Sequence, residues 1–295
     1  IVRNDLDAND RMFLHKYRRR LGALLGTIRP DITVTVCDNS LYALTGCDDG
    51  SVKVGEFHFS HEKFMMKYGT GALGRAYAEF RTRRLERAVR KLDRFVVLTK
   101  ADKEDWEKVR PDVEQIYNPL TFVSDEVSPL TGKRCVAVGR LEEQKNFKDL
   151  IKAWKTVDGR HPDWTLSIFG KGSQENELRN LIKDSGLAGK VILEGGTSDI
   201  RKELLDSSCL VMSSRYEGFP MVLLEALTTG LPIVSYTGTL AQGICSVIAN
   251  EDLRRRFGAE SKRRSENFTL EKTMERWDRL FSSLTTSRTR TSPEG

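Results

Sequence analysis

Apolar residues recur over residues 9–28 at the three- and four-residue spacing of one helix face: Met12, Phe13, Tyr17, Leu21, Leu24, Leu25 and Ile28. Arg29, Pro30 and Asp31 end that helix, because proline cannot continue it. The β-branched run Ile32, Thr33, Val34, Thr35, Val36 predicts a buried strand, and residues 52–57 predict a second that leads into His58. Residues 71–93 read as a long basic helix with Leu73, Tyr77, Phe80, Leu85, Ala88, Val89 and Leu92 on one face. A strand over 94–98, a short helix over 100–109 and a strand over 113–117 follow, the last stopped by Asn118 and Pro119. Strand and helix keep alternating, which predicts a parallel sheet covered on both faces.

Residues 124–133 are polar, contain Pro129 and Gly132, and are the expected linker. A second alternating series starts after them. Strands are expected over 135–138, 164–169, 191–193, 209–212 and 232–236, with helices over 146–157, 176–184, 200–207 and 221–229. Residues 270–284 are amphipathic through Met274, Trp277, Leu280, Phe281 and Leu284. The expected organisation is a first Rossmann-like domain over 1–130, a second domain over 131–268, a helix over 269–284 packing back toward the first domain, and a disordered tail over 285–295. The fold class is α/β, with two Rossmann-like parallel-sheet domains facing a cleft at the carboxyl ends of their strands, where ligands bind in such sheets.

Composition narrows the class. With 39% hydrophobic and 31% charged residues, the 295-residue chain can bury two cores and is too apolar for disorder. No apolar run approaches the ~20 residues of a membrane-spanning helix, and no signal-peptide pattern is present. The five cysteines, Cys37, Cys47, Cys135, Cys209 and Cys245, lack the spacing of a zinc site and read as reduced core residues. The net charge of +6 admits nucleic acid, an anionic membrane or phosphorylated small molecules as partners. The aromatic residues of the basic runs at 11–20 and 75–94 are not interleaved as stacking platforms, which counts against nucleic acid. The expected location is the cytoplasm, peripheral on the inner face of the plasma membrane.

Four loops at strand ends carry the candidate chemistry. The first runs from Gly139 through Arg140 to Lys145 and places two cations where a diphosphate could sit, although two exposed cations need no ligand. The second is Gly170-Lys171-Gly172, a weak signal because the full GxGxxG pattern is absent. In the third, 195–200, Thr197 is a candidate ligand contact, while Ser198 or Asp199 could simply cap the next helix. The fourth is the most specific. A strand runs out into Glu217, Gly218 and Phe219; Pro220 suits a helix start, and Glu225 follows inside an otherwise apolar helix. A carboxylate there is costly without a partner, and a ribose diol or a structural cation would serve.

Residues 136–225 resemble the donor domain of family-four retaining glycosyltransferases, which have the GT-B fold. The resemblance rests on an E-x7-E pattern at Glu217 and Glu225, G-R-x-x-x-x-K at Gly139, Arg140 and Lys145, and G-x-G at Gly170 and Gly172. Weaker similarity reaches back to Thr99, Asn118 and Pro119 and forward through residues 253–257 into the final helix. The resemblance implies a nucleoside-diphosphate sugar as donor, a glycan or lipid-linked acceptor, retention of configuration, no cofactor and no essential metal. It implies that Arg140 and Lys145 neutralise the leaving diphosphate, that Glu225 holds the ribose and that Glu217 sits by the donor sugar. It also points to His58 near the transferred sugar, with His61 in reserve.

Two departures stand out. The first domain lacks the opening strand, Gly-rich turn and first helix of the family. The connection at Thr237, Gly238 and Thr239 is also shorter than usual, so residues are expected to be missing at both places. Two alternatives stay open: a nucleotide-sugar epimerase of the same fold, and a non-catalytic, basic, membrane-associated scaffold.

Overall fold

A computed structural model of the chain describes residues 10–37, 39–235 and 239–289. The chain divides into two compact units, one of Ile1–Asn118 with Glu271–Gly295 and one of Pro119–Leu270.

The first unit begins with α1 (Asp10–Ile28), β1 (Ile32–Val36) and α2 (Asn39–Leu44). It continues through β2 (Val52–Phe57), α3 (Lys63–Tyr68), α4 (Gly71–Val89), β3 (Arg94–Val97), α5 (Lys100–Trp106) and β4 (Val113–Gln115). The strands pair in parallel in the order β1-β2-β3-β4. On one face Phe57, Phe95 and Trp106 interlock, with the Phe95 and Trp106 ring centroids 4.8 Å apart. β2 and β3 lie inside the sheet and are mostly buried, whereas β1, expected to be a buried strand, lies at the edge of the described sheet and leaves Val34 and Val36 exposed.

The second unit comprises β5 (Arg134–Val138), α6 (Phe147–Arg160), β6 (Thr165–Phe169), α7 (Glu175–Asp184), β7 (Val191–Gly195) and α8 (Ile200–Leu205). After these come β8 (Cys209–Val211), α9 (Met221–Thr228), β9 (Ile233–Val234), α10 (Leu240–Ala249) and α11 (Glu251–Ser265). All its strands are parallel, in the order β7-β6-β5-β8-β9. The core under β5 and β6 gathers Trp154, Leu150, Ile151, Leu166 and Ile168, all fully buried. Against this core, which also holds Trp164, Val247 and Ile248, the Arg254 guanidinium is buried, donates to the carbonyls of Leu130, Val247 and Ile248, and lies 5.4 Å from the Trp164 ring. It therefore ties α10, α11 and residue 130 into one body. The last helix, α12 (Leu270–Thr289), returns to the first unit, where Leu280 and Leu284 cover Val54, Val96 and Ile116.

Several expectations change. Residues 124–133 are not a linker, because the units divide at Asn118 and Pro119. Ser124 and Ser128 are buried; the Ser124 N–H donates to the Thr228 hydroxyl and the Ser128 hydroxyl donates to the Ser207 carbonyl, and these bonds anchor the segment to the second unit. In α4 the expected core face is split: Leu73, Tyr77 and Phe80 are 89%, 41% and 59% exposed, while Ala78, Leu85 and Val89 are buried. At about 3.6 residues per turn these two sets fall on nearly opposite sides of the helix. The final helix continues to Thr289, past the expected start of a disordered tail at 285; the rest of that tail lies outside the described residues, as do Tyr236, Thr237 and Gly238. Of the five cysteines, all free, only Cys47 is partly accessible, and burial pushes the Cys135 thiol well above its usual range.

Candidate functional site

The strand order places β5 at the centre of the second sheet, with β6 and β7 on one side and β8 and β9 on the other. The chain therefore reverses direction of sheet growth between β5 and β8. Loops leaving the carboxyl ends of two such strands diverge and open a crevice, the preferred ligand position in open α/β sheets. Here those loops are the ones that carry Arg140 to Lys145 and Ser213 to Glu217.

They meet residue by residue. Arg215 Nη1 lies 2.7 Å from Glu143 Oε1, and the Arg215 N–H donates to the Gln144 carbonyl at 2.9 Å. The Gln144 carboxamide donates to the Tyr216 carbonyl at 3.1 Å, and Lys145 Nζ donates to Glu217 Oε1 at 2.6 Å. Ser213 Oγ closes the ladder by donating to the Lys145 carbonyl at 2.7 Å. Successive residues of one loop are thus paired with successive residues of the other. The outer pair, Glu143 and Arg215, is exposed, whereas the Lys145 and Glu217 side chains retain only 16% and 19% of their accessibility. That burial separates a preorganised pair from an ordinary surface one. Arg140 is exposed beside them.

Glycines let the neighbouring loops close in. A Cβ on Gly139 would stand 2.7 Å from Lys145 Cε, so the bare backbone is what lets Lys145 lie along it. Gly170 has φ +148 and would bring a Cβ within 1.8 Å of the Gly139 carbonyl oxygen. Gly172 packs on the Leu141 backbone, its Cβ position 2.4 Å from the Leu141 oxygen. Leu141 and Lys171 are also bonded through their backbones at 3.0 Å. Glu142 accepts from the Ser173 N–H and hydroxyl, which together hold its carboxyl below the usual range. A Gly172→Ala variant meets backbone rather than a flexible side chain. We expect it to lower stability by roughly 1–3 kcal/mol and to weaken donor binding, measurable by thermal melting and by titration.

Around Glu225 the sequence fold is local and the partner is not. Pro220 has φ −71 and stands at the start of α9, whose turns carry Leu224, Ala226 and Leu227 into the core. Glu225 shares this helix but is only half-buried, and its Oε1 accepts from the Thr121 hydroxyl at 2.9 Å. Thr121 lies 104 residues away in the chain, and no spacing could have found it. The Phe219 ring sits 5.7 Å from that of Phe268, and Gly218 is half-buried beside it in sequence. Thr197 is exposed, and its hydroxyl accepts from the Asp199 N–H at 3.1 Å; Asp199 in turn caps α8 by accepting from the Lys202 N–H. Thr197 thus shares its hydroxyl with a helix start, the plainer of the two roles considered for this loop.

In the first unit, His58 ends β2 with Nε2 3.1 Å from Glu56 Oε1, outside hydrogen-bond geometry. His61 is held more firmly, by Glu86 at 3.1 Å and by a T-shaped contact with Trp106 whose ring centroids are 4.8 Å apart, an arrangement suited to a structural imidazole. Sequence reasoning missed Gln144, Thr121 and the Glu143–Arg215 pair. Gln144 lies inside the recognised G-R-x-x-x-x-K stretch, yet its role depends on the second loop.

Comparison with known proteins covers this same region. Residues 122–252 match the family model Glycosyl transferases group 1. These residues form a glycosyltransferase group 1 domain. An uncharacterized glycosyltransferase of Haemophilus influenzae is 30% identical over 216 residues, 64% of this chain and 61% of that protein. An exopolysaccharide phosphotransferase of Streptomyces coelicolor is 30% identical over 294 residues, 90% of this chain and 30% of that protein. The chain thus spans less than two thirds of either relative. Among solved structures, a variant of Staphylococcus aureus TarM in complex with fondaparinux, α-GlcNAc-glycerol and UDP superposes with a TM-score of 0.72 at 21% identity. That match covers 88% of this chain and 58% of TarM, and it is a likeness of fold: α/β with two parallel-sheet domains, the GT-B class.

Proposed function

We propose that the chain is a retaining glycosyltransferase that moves a sugar from a nucleoside diphosphate to an acceptor hydroxyl in cell-surface polysaccharide or glycan biosynthesis. The observation that carries this reading is the Lys145–Glu217 pair, 2.6 Å long, at the β5/β8 switch point with Arg140 beside it. When the bond from the anomeric carbon to the β-phosphate oxygen breaks, negative charge grows on the diphosphate. A half-buried ammonium held in place by Glu217 opposes that charge without reorganising, which is where electrostatic catalysis gains most, and an exposed guanidinium adds to it. Arg140 and Lys145 fill these roles, so the reaction as proposed needs neither a resident cofactor nor a divalent ion.

Glu217 serves two states. It neutralises Lys145 before the donor arrives, and it turns to the donor sugar's hydroxyls once the diphosphate shares the lysine. Glu225 accepts from the ribose hydroxyls, with Thr121 fixing the orientation of its carboxylate. Gly139, Gly170, Gly172, Gly218 and Phe219 shape the donor's bed by close backbone approach and ring packing, and Thr197 borders it. His58 is assigned to the acceptor side, where a neutral imidazole can donate to a sugar hydroxyl or take the acceptor's proton. The UDP held by TarM and the exopolysaccharide role in the Streptomyces relative's name support this donor and acceptor class.

The test is release of nucleoside diphosphate from a panel of nucleotide sugars, with and without glycan acceptors. The product's anomeric configuration is read by NMR. Release with some donor and retained configuration are expected; inversion would remove the retaining assignment, and failure of every donor would remove the transferase reading. Glu225→Ala should weaken donor binding about tenfold to a hundredfold, as expected for lost hydrogen bonds to a charged group. Unchanged affinity would refute the ribose role.

A further inference from the structure

We propose, on the basis of the transferase reading, that Glu56 is a positioning residue that orients His58 as the base for the acceptor hydroxyl. Glu56 stands on β2, an inside strand of the first sheet, with Val36 and Val96 as its register partners on either side. Register partners in a parallel sheet point to the same face, so the carboxylate emerges between two apolar side chains. It keeps only 19% of its accessibility. A carboxylate so placed is costly unless a polar group meets it. The group that meets it is the His58 ring, two residues on and on the same face, with Nε2 3.1 Å from Glu56 Oε1.

His58 differs from its neighbour His61. The His61 ring is bonded to Glu86 and packed against Trp106, so it serves the fold. In His58, Nε2 is buried and makes no hydrogen bond, because it and the Glu56 oxygen are close but misaligned. A buried polar atom without a partner is rare in a folded protein. A turn of the ring about the Cβ–Cγ bond aligns the N–H with the carboxylate and satisfies both. The His58 side chain keeps 34% of its accessibility, while Nε2 itself is buried, so the open side of the ring faces away from Glu56.

The two ring nitrogens then have separate tasks. With its proton on Nε2 and directed at the carboxylate, a neutral imidazole leaves Nδ1 unprotonated. The acceptor oxygen bonds to the anomeric carbon while the bond from that carbon to the β-phosphate oxygen breaks, and its electron pair leaves with the diphosphate. The acceptor's proton passes to Nδ1. The imidazolium so formed stands against the Glu56 carboxylate until solvent takes the proton, the logic by which a buried carboxylate supports histidine in hydrolase triads. Without Glu56 the ring is free to turn, and either nitrogen can carry the proton.

Two measurements on the full chain test this, and the first needs no turnover. The chain has four histidines, so their ring nitrogens can be labelled and told apart by single substitutions. A buried Nε2–H held by a carboxylate exchanges slowly and gives a low-field proton resonance. One such resonance should vanish in His58→Gln and move upfield in Glu56→Gln, which keeps the side chain's shape and removes its charge. In transfer assays Glu56→Gln should lower kcat about tenfold to a hundredfold with KM for the donor unchanged. In the His58→Gln background the same change should cost less than about twofold, because residues that act as a unit are not additive. Glu56→Asp gives the same comparison if Glu56→Gln melts early. No resonance that depends on both residues would overturn the pairing. An equal loss from Glu56→Gln in both backgrounds would overturn the positioning role. An intact resonance with no transfer from any donor would instead remove the transferase reading, and the base assignment with it.

Discussion

Lys145→Ala is expected to lower turnover by about 100- to 1,000-fold, the loss that follows when one preorganised charge is removed from a developing anion. The pairing across the β5/β8 crevice explains why a single ammonium should matter so much. Lys145 lies along the backbone of Gly139, reaches Glu217 at 2.6 Å, and is shielded enough that water cannot replace it cheaply. Its removal also leaves Glu217 half-buried without that cation, an added penalty of roughly 1–3 kcal/mol before any donor binds. Stability and turnover should therefore both fall, with turnover falling further. Arg215→Ala is the matched control. It breaks a pair whose side chains are 54% and 75% exposed, so both effects should be small, below about 1 kcal/mol. Steady-state diphosphate release and thermal melting of both variants distinguish a catalytic lysine from a merely structural one. Equal losses in the two variants would mean that the ladder is scaffolding.

The second large effect is on folding. Arg254→Ala should destabilise the second unit by about 3–5 kcal/mol, since it removes charge-assisted bonds to three buried carbonyls and leaves those acceptors without a donor. The carbonyls belong to Leu130, Val247 and Ile248, so the loss is felt at the end of α10, at the start of α11 and in the segment entering β5. For a unit of this size the melting midpoint should drop on the order of 10 °C. Arg254→Lys should recover only part of it, because an ammonium cannot reproduce the planar fork that reaches three carbonyls at once beside Trp164. Differential scanning calorimetry reads both. A drop as small as that of an exposed substitution would contradict the structural role.

Much of this was legible in the sequence, for reasons visible in particular residues. The alternation of apolar runs with helical patterns marked all nine strands of the described residues to within a few positions, since buried parallel strands must be apolar on both faces. Glu217 and Glu225 stood out because one ends a strand and the other interrupts an apolar helix. What the sequence hid is of two kinds. Residues 124–133 have the polarity of a linker, but the Ser124 N–H and the Ser128 hydroxyl are buried and bonded, and polarity alone does not reveal a satisfied hydrogen bond. In α4 the apolar residues lie on two faces, and periodicity could not say which one packs. The helix α11 was missed because it is polar almost all round and has no clear stripe, whereas α10 carries one in Leu240, Ile244, Val247 and Ile248 that the sequence reading passed over. The cross-loop ladder was invisible for a third reason: it links residues 68 and 72 positions apart, and only the strand order brings them together.

The account turns on whether the β5/β8 crevice holds a nucleoside diphosphate. Calorimetric titration of the full chain with UDP, GDP and ADP tests this without an acceptor or turnover. One of them should bind at a single saturable site, about tenfold or more weaker in Lys145→Ala and in Glu225→Ala, and unchanged in Arg215→Ala. No binding of any of the three, or binding indifferent to both Lys145 and Glu225, would contradict it.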